Sequence, residues 1–282
     1  MCGEHLQCLR GCVSHKGYKV GEAVGNGWEI SGKTESLKPV VKGLFKRVFE
    51  LKDSRGIIIA DKERAIDVAV ESIRRNRELL ENFADSHRLF LESLMPVKVP
   101  AEPLVVKLMA EAALKAGVGP MAAVAGVLAD LAVADMVAEG CKIAVVEDGG
   151  EVSAVSKEPI DVAVGVGDAP LSNRFGFRLT DFPVGIATSS GVFSHALSFG
   201  DAEAATVFCG NAGLADAVAT AVGNVVKGDD VQAAIHRGIE KAVSIQGVKS
   251  ALIIYKGFVG TAGKIPQIIK IDPCDSSARN SL

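Results

Sequence analysis

The spacing of apolar positions changes several times along the chain, and each change predicts an element. Residues 44–51 (LFKRVFEL) are rich in β-prone types and 56–60 (GIIIA) form a short apolar run, so together they predict a β-hairpin. From Asp61, read as an N-cap, Ile66, Val70, Ile73 and Leu80 recur at helical spacing among charges, which predicts a long amphipathic helix with a solvated charged face. Pro96, Pro100 and Pro103 interrupt the pattern, and Pro103 suits the first turn of a helix running to Lys115. Residues 117–130 (GVGPMAAVAGVLAD) enter a helix of alanine and glycine, with backbone N–H groups sterically open at its start or with simple close packing against a neighbour. Residues 142–147 predict a buried strand that turns at Asp148, Gly149 and Gly150 into a second strand, 151–155; the paired glycines permit positive φ. Further strands are expected at 160–167, 175–179, 252–255 and 265–271, with a helix over 231–245. Helices clustered between runs of strands predict an α+β architecture with a mixed or antiparallel sheet flanked by helices.

The stretch 183–220 concentrates the candidate chemistry. Thr188, Ser189, Ser190 and Gly191 follow a short apolar run and offer hydroxyls and backbone N–H groups without bulk, which suits an anion or polar ligand. His195, Ser198 and Gly200 come next, and 204–209 (AATVFC) reads as a buried strand. Asn211 then caps a helix in which Asp216 and Thr220 stand four apart, one turn apart on one face. The ligand site is expected where Thr188, Ser189, Ser190 and His195 meet Gly149 and Gly150.

Composition narrows the class. At 282 residues, 48% hydrophobic and 23% charged, the chain is long enough to bury a sizeable core. A net charge of −3 leaves no basic footprint for nucleic acid or an anionic membrane. The apolar region 117–138 is interrupted by Asp130 and Asp135 and reads as a buried helix rather than a membrane span. No apolar leader follows the amino terminus, so a cytoplasmic location is expected. Cys141 and Cys209 lie in apolar runs, where a free thiol acts as a small hydrophobe. Cys2, Cys8 and Cys12, with His5 and His15 among them, either form a soft-metal or sulfur-handling cluster or belong to a loose terminus. The organisation expected is an irregular cysteine-containing segment over 1–42, one domain over 43–272 and a polar tail over 273–282.

Four segments, GVGPMAAVAGVLAD, VVEDGGEV, GIATSSGVFSHALSFGDAEAATV and LADAVATAVGN, in this order, resemble a divergent prokaryotic branch of the ApbE-like superfamily. The resemblance runs over about residues 64–268 and leaves the amino-terminal cysteines outside. The better understood members are magnesium-dependent flavin transferases, which bind FAD and move its FMN half onto a threonine of an acceptor protein. By that resemblance Asp216 and Thr220 stand as metal ligands, Gly149, Gly150 and Gly126 as cofactor-binding positions, and His195 as the matching histidine and candidate acid–base group. The sequence departs from the transferases at Ala125, where they carry a lysine, and at Ser198, where they carry an aspartate. Loss of a cation and of a carboxylate favours a protein that binds a flavin or adenine nucleotide over one that transfers it. The alternatives are an active flavin or phosphoryl transferase and a sulfur-handling accessory protein. A closed sheet with helices rich in small residues would also suit a homodimer.

Overall fold

The first hairpin forms as its pattern requires: β1 (Phe45–Leu51) pairs antiparallel with β2 (Ser54–Ala60). A computed structural model describes residues 43–163, 175–191 and 200–270. His195, Ser198 and Cys2, Cys8, Cys12 and Cys274 lie outside the described residues.

Helix α1 (Glu63–Ser86) buries Ala65, Ile66, Ala69, Ile73, Leu80 and Ala84 along one stripe, the helical periodicity seen in the sequence. Asp61 does not cap it. Its carboxylate instead accepts the Lys142 N–H at 3.1 and 3.2 Å, tying the start of the helix to the strand entry opposite. The charged face of α1 is not wholly solvated either, since Arg77 turns inward and donates to Ser54 Oγ at 2.7 Å. A short α2 (Arg88–Glu92) precedes α3 (Leu104–Ala116), which starts directly after Pro103 and ends on Gly117 at φ 77, a left-handed cap that suits glycine. A 3₁₀ turn, Pro120–Ala123, leads into α4 (Val124–Ala138). The stretch Pro120–Ala138 is long and apolar enough to cross a membrane by length and composition, yet α4 packs against α1, a neighbouring helix and the sheet.

The remaining strands are β3 (Ala144–Asp148), β4 (Glu151–Val155), β5 (Ile160–Ala163), β6 (Phe175–Leu179), β7 (Val184–Ser189), β8 (Ala204–Cys209), β9 (Val248–Tyr255), β10 (Phe258–Gly263) and β11 (Gln267–Lys270). Helices α5 (Ala212–Val225) and α6 (Val231–Val243) separate β8 from β9. The sequence pattern did not predict β10, because an exposed edge strand carrying Gly260 and Gly263 shows neither alternation nor a continuous apolar run. Eight strands form one sheet in the order β1-β2-β3-β4-β7-β8-β9-β10, and β11-β6-β5 form a second; every pairing is antiparallel. Among the described residues the large sheet ends at β1 and β10 without closing, so the closed sheet expected as a ground for a homodimer is not seen there.

Alternation along the central strands sorts side chains into two cores. Ala205, Val207, Cys209, Ala251 and Ile253 meet the helices, whereas Ala204, Phe208, Leu252 and Ile254 meet Ile160, Val162, Phe177 and Leu179 of the small sheet. The result is three layers: helices, the eight-stranded sheet and the three-stranded sheet. Cys141 and Cys209 are buried free thiols, pushed up to about 11 and about 12 respectively by burial first, so both remain protonated and inert.

Candidate functional site

Helix α5 supplies the centre of the site, and its start is closed to ligands. Asn211 adopts extended backbone and accepts the Leu214 N–H at 2.9 Å, as an N-cap does. The preceding donors go to Asp130 of α4: its Oδ1 accepts the Ala212 N–H and its Oδ2 the Gly213 N–H, both at 2.8 Å. Oδ1 also accepts from Ser153 Oγ on β4 at 2.7 Å. The reverse contact is made one turn along, where Asp216 Oδ2 accepts the Gly126 N–H of α4 at 3.1 Å.

Glycines allow this approach. A Cβ on Gly126 would sit 2.3 Å from the Ala212 carbonyl oxygen, one on Gly213 would sit 2.5 Å from Val127 Cγ2, and one on Gly185 would sit 1.9 Å from the Asn211 carbonyl carbon. Gly126, a candidate cofactor position, is therefore buried where two helix backbones meet, and its N–H is spent on Asp216. The open helix start expected from GVGP is filled as well: a Cβ on Gly119 would lie 1.9 Å from the Ser93 carbonyl oxygen.

Beside α5 lies the β3–β4 turn, with Gly149 at φ 68 and Gly150 at φ 114. These values favour glycine. Glu147 Oε1 accepts the Gly150 N–H at 2.8 Å and the Arg55 carbonyl accepts the Gly149 N–H at 3.0 Å, so the turn is held from both sides. The β4–β7 register, continued past Val152–Ile186, brings this turn to the end of the sheet where Thr188 and Ser189 lie.

Alternation then divides the candidates. Ser189 shares the helix-facing side with Gly185, Ala187, Glu151 and Ser153, and so with Asp216. Thr188 points to the opposite side, where its Oγ1 lies 2.9 Å from the buried Thr206 Oγ1. Ser190 is buried and has a partner. Thr220 is half-buried, one turn beyond Asp216.

A pair of carboxyls that the sequence reading only half identified dominates the electrostatics. Glu151, first residue of β4, is held well above the ordinary carboxylate range by burial first and then by Asp216, Asp148 and Glu147. Asp216 is pushed up to about 7 by burial, against the Gly126 N–H and with Asp148 and Asp130 adding to the rise. Burial likewise lifts Glu147 to about 7 and Asp148 to about 6. Near neutral pH Asp216 can release or take up a proton, and two carboxyl oxygen donors from Glu151 and Asp216 are of the kind that suits a hard cation. Among the described residues no group of three or more His, Cys, Asp or Glu is gathered to hold a metal ion. Glu151 was legible in principle, as the polar residue after a Gly-Gly turn in a strand whose next helix-facing residue is Ser153. Asp130 was legible too, four residues after Gly126 on the same helix face.

A model of the family described as AbpE bacteria matches residues 48–248, from within β1 to the first residue of β9. The chain belongs to the AbpE bacteria family. Its relatives include a UPF0280 protein of Methanococcus aeolicus, 38% identical over 219 residues that cover 75% of this chain and 87% of that protein. Another UPF0280 protein, from Methanopyrus kandleri, is 38% identical over 218 residues, 76% of this chain and 88% of that one. The apo form of the Pseudomonas stutzeri flavinyl transferase ApbE matches in structure with a TM-score of 0.50 at 14% sequence identity, covering 83% of this chain and 96% of that chain. This AbpE bacteria member thus has the ApbE-like fold.

Proposed function

We propose that the protein binds a flavin or adenine nucleotide, FAD in the first instance, together with Mg²⁺, which Asp216 and Glu151 would hold and which would offset the charge of the ligand's phosphates. The observation that carries this reading is the carboxyl pair itself: two half-buried acids from different elements, beside a glycine turn, each disfavoured as an anion by burial and by neighbouring carboxylates. A divalent cation removes that penalty, and the donor set is all oxygen. Asp216 keeps Oδ1 for a ligand while Oδ2 takes the Gly126 N–H. The Thr220 hydroxyl stands one turn away, and phosphate oxygens and water make up the remaining coordination. The family and fold support a flavin-related ligand.

In this reading the Gly149–Gly150 turn and Ser189 receive the ligand on the helix-facing side, Thr188 serves the sheet, and His195 is the candidate acid–base group. Binding exceeds transfer, because Ala125 beside Gly126 offers no cation to offset charge on a moving phosphoryl group, and one lost electrostatic contact of that kind costs about 10²- to 10³-fold in rate.

Titration calorimetry with FAD and with ADP, with and without MgCl₂, tests this on wild type, Asp216→Asn and Glu151→Gln. Mg²⁺-dependent binding that weakens at least tenfold in either variant is expected; equal affinities across the three proteins refute the site. Incubation with FAD, Mg²⁺ and a threonine-bearing acceptor protein, followed by in-gel fluorescence, is expected to show no covalent flavin, and strong labelling would restore the transferase reading.

A further inference from the structure

We infer that Asp130 is the positioning residue of this site: its carboxylate fastens α4, β4 and α5 together so that Asp216 and Glu151 come to one place beside the glycine turn. Asp130 accepts three hydrogen bonds from two other elements, the Ala212 and Gly213 N–H groups of α5 and Ser153 Oγ of β4. Asp216 returns the contact by accepting the Gly126 N–H of α4. Gly126 and Asp130 stand four apart on one face of α4, and Gly213 and Asp216 stand three apart on one face of α5. The two helices are therefore held by two reciprocal rungs, about one turn apart, in which each helix gives one carboxylate and receives one. The third bond reaches the strand whose first residue is Glu151, two residues before Ser153 and on the same face of the sheet.

The arrangement needs an acceptor at both oxygens. An asparagine side chain of the same shape offers one oxygen and one NH₂, and the NH₂ would confront an N–H of α5 with no acceptor between them. Releasing that N–H loosens the α5 start, and Asp216 lies one turn along the same face. The inference takes its functional meaning from the nucleotide reading above, but its structural content does not depend on any ligand.

Native-state hydrogen exchange followed by NMR on the full chain tests it, comparing wild type, Asp130→Asn and Ser153→Ala. In Asp130→Asn the Gly126 amide, which reports where Asp216 sits, is expected to exchange at least tenfold faster together with Ala212 and Gly213, while Val145 and Val152 keep wild-type protection. Ser153→Ala retains both backbone bonds and should leave Gly126 within threefold of wild type. If Gly126 stays within threefold of wild type in Asp130→Asn while Ala212 and Gly213 lose protection, Asp130 is a helix cap alone and the inference is overturned. Should Asp130→Asn not fold, Asp130→Glu keeps the charge and displaces it by one methylene; the same tenfold loss at Gly126 is expected, and undisturbed protection overturns the inference. A second arm measures FAD affinity with and without Mg²⁺. Asp130→Asn should abolish the Mg²⁺-dependent gain while changing cation-free affinity by less than threefold, whereas a purely structural residue would lower melting temperature and leave that gain intact. Wild type with no Mg²⁺-dependent binding would sink the nucleotide reading, and the amide arm would still decide the role of Asp130.

Discussion

Replacing Gly126 with alanine separates the effect of helix propensity from the effect of packing, because the two act in opposite directions here. In an exposed helix interior the change stabilises by about 1 kcal/mol. In this chain the new Cβ would lie 2.3 Å from the Ala212 oxygen, 2.5 Å from its carbonyl carbon and 2.8 Å from the Gly213 nitrogen, whereas ordinary contact begins at 3.4 Å. The obstacles are backbone atoms held in place by Asp130 and Asn211 and cannot rotate away. The helices must part by about 1 Å, the difference between 3.4 and 2.3 Å, and a 2.8 Å hydrogen bond stretched that far is lost. Loss of one hydrogen bond to a charged group costs about 1.5–3 kcal/mol, and overpacking adds roughly 1–3 kcal/mol. With the propensity gain subtracted, the net is a destabilisation of about 3 kcal/mol, or a fall in melting temperature of roughly 6–12 °C at this size. Thermal melts and urea titrations of Gly126→Ala against Gly210→Ala provide the measurement. Gly210 has no atom within 4 Å of its built Cβ, so that control should stay within about 0.5 kcal/mol of wild type. A Gly126→Ala protein melting within about 2 °C of wild type, or above it, would show that α4 and α5 do not meet as described.

Stability in metal-free buffer should fall as pH rises from 5 to 8. Asp216 and Glu147, at about 7, and Asp148, at about 6, bind protons in the folded state that an unfolded carboxylate has already released, so their contribution is complete below about pH 4 and is lost through pH 6–7; melting at pH 5 and pH 8 checks the sign, and a higher melting temperature at pH 8 contradicts it. Thr188→Val should cost about 1–2 kcal/mol by stranding the Thr206 hydroxyl, which is 0% exposed, and the double variant with Thr206→Val should recover most of that loss. A double variant no better than the single one would show that the hydroxyl pair does not face itself across the sheet.

The fold was legible wherever a local pattern and a tertiary contact demand the same residues. Ile66, Ile73 and Leu80 belong to a helical stripe and also to the interior, so the sequence pattern located α1 to within a few residues. Asp148, Gly149 and Gly150 specify a turn by backbone preference alone, and the turn is where the pattern put it. Asp61 shows how the reading fails, since a carboxylate that could cap its own helix accepts an N–H brought from 81 residues away. Edge strand β10 failed for a different reason: it meets α6 through Gly260, which lies against Ile235 and Ile239, so the position that faces the helix is a glycine and no apolar alternation betrays the strand.

The candidate site was legible as a set of residues and not as an arrangement, because small residues and acids each have two physical uses that a linear pattern cannot separate. Gly126 could have admitted a ligand to a helix start or another backbone to its flank; the Ala212 carbonyl oxygen, 2.3 Å from where a Cβ would stand, decides for the backbone. Thr188 and Ser189 are adjacent in sequence and chemically alike, yet alternation sends one to the small sheet and the other towards α5, so only Ser189 shares a side with Asp216. Acids divide in the same way. Asp130 is lifted by burial too, but its three donors offset this and it fixes geometry, whereas Glu151 and Asp216 are lifted by burial first and then by neighbouring carboxylates. A carboxylate with both oxygens filled by donors holds structure together, and one lifted by burial and then by neighbouring acids, with an oxygen left over, is poised for a proton or a cation. That difference lies in three-dimensional partners, so spacing alone could single out Asp130 and Glu151, but their separate roles appear only where α4, α5 and β4 lie side by side.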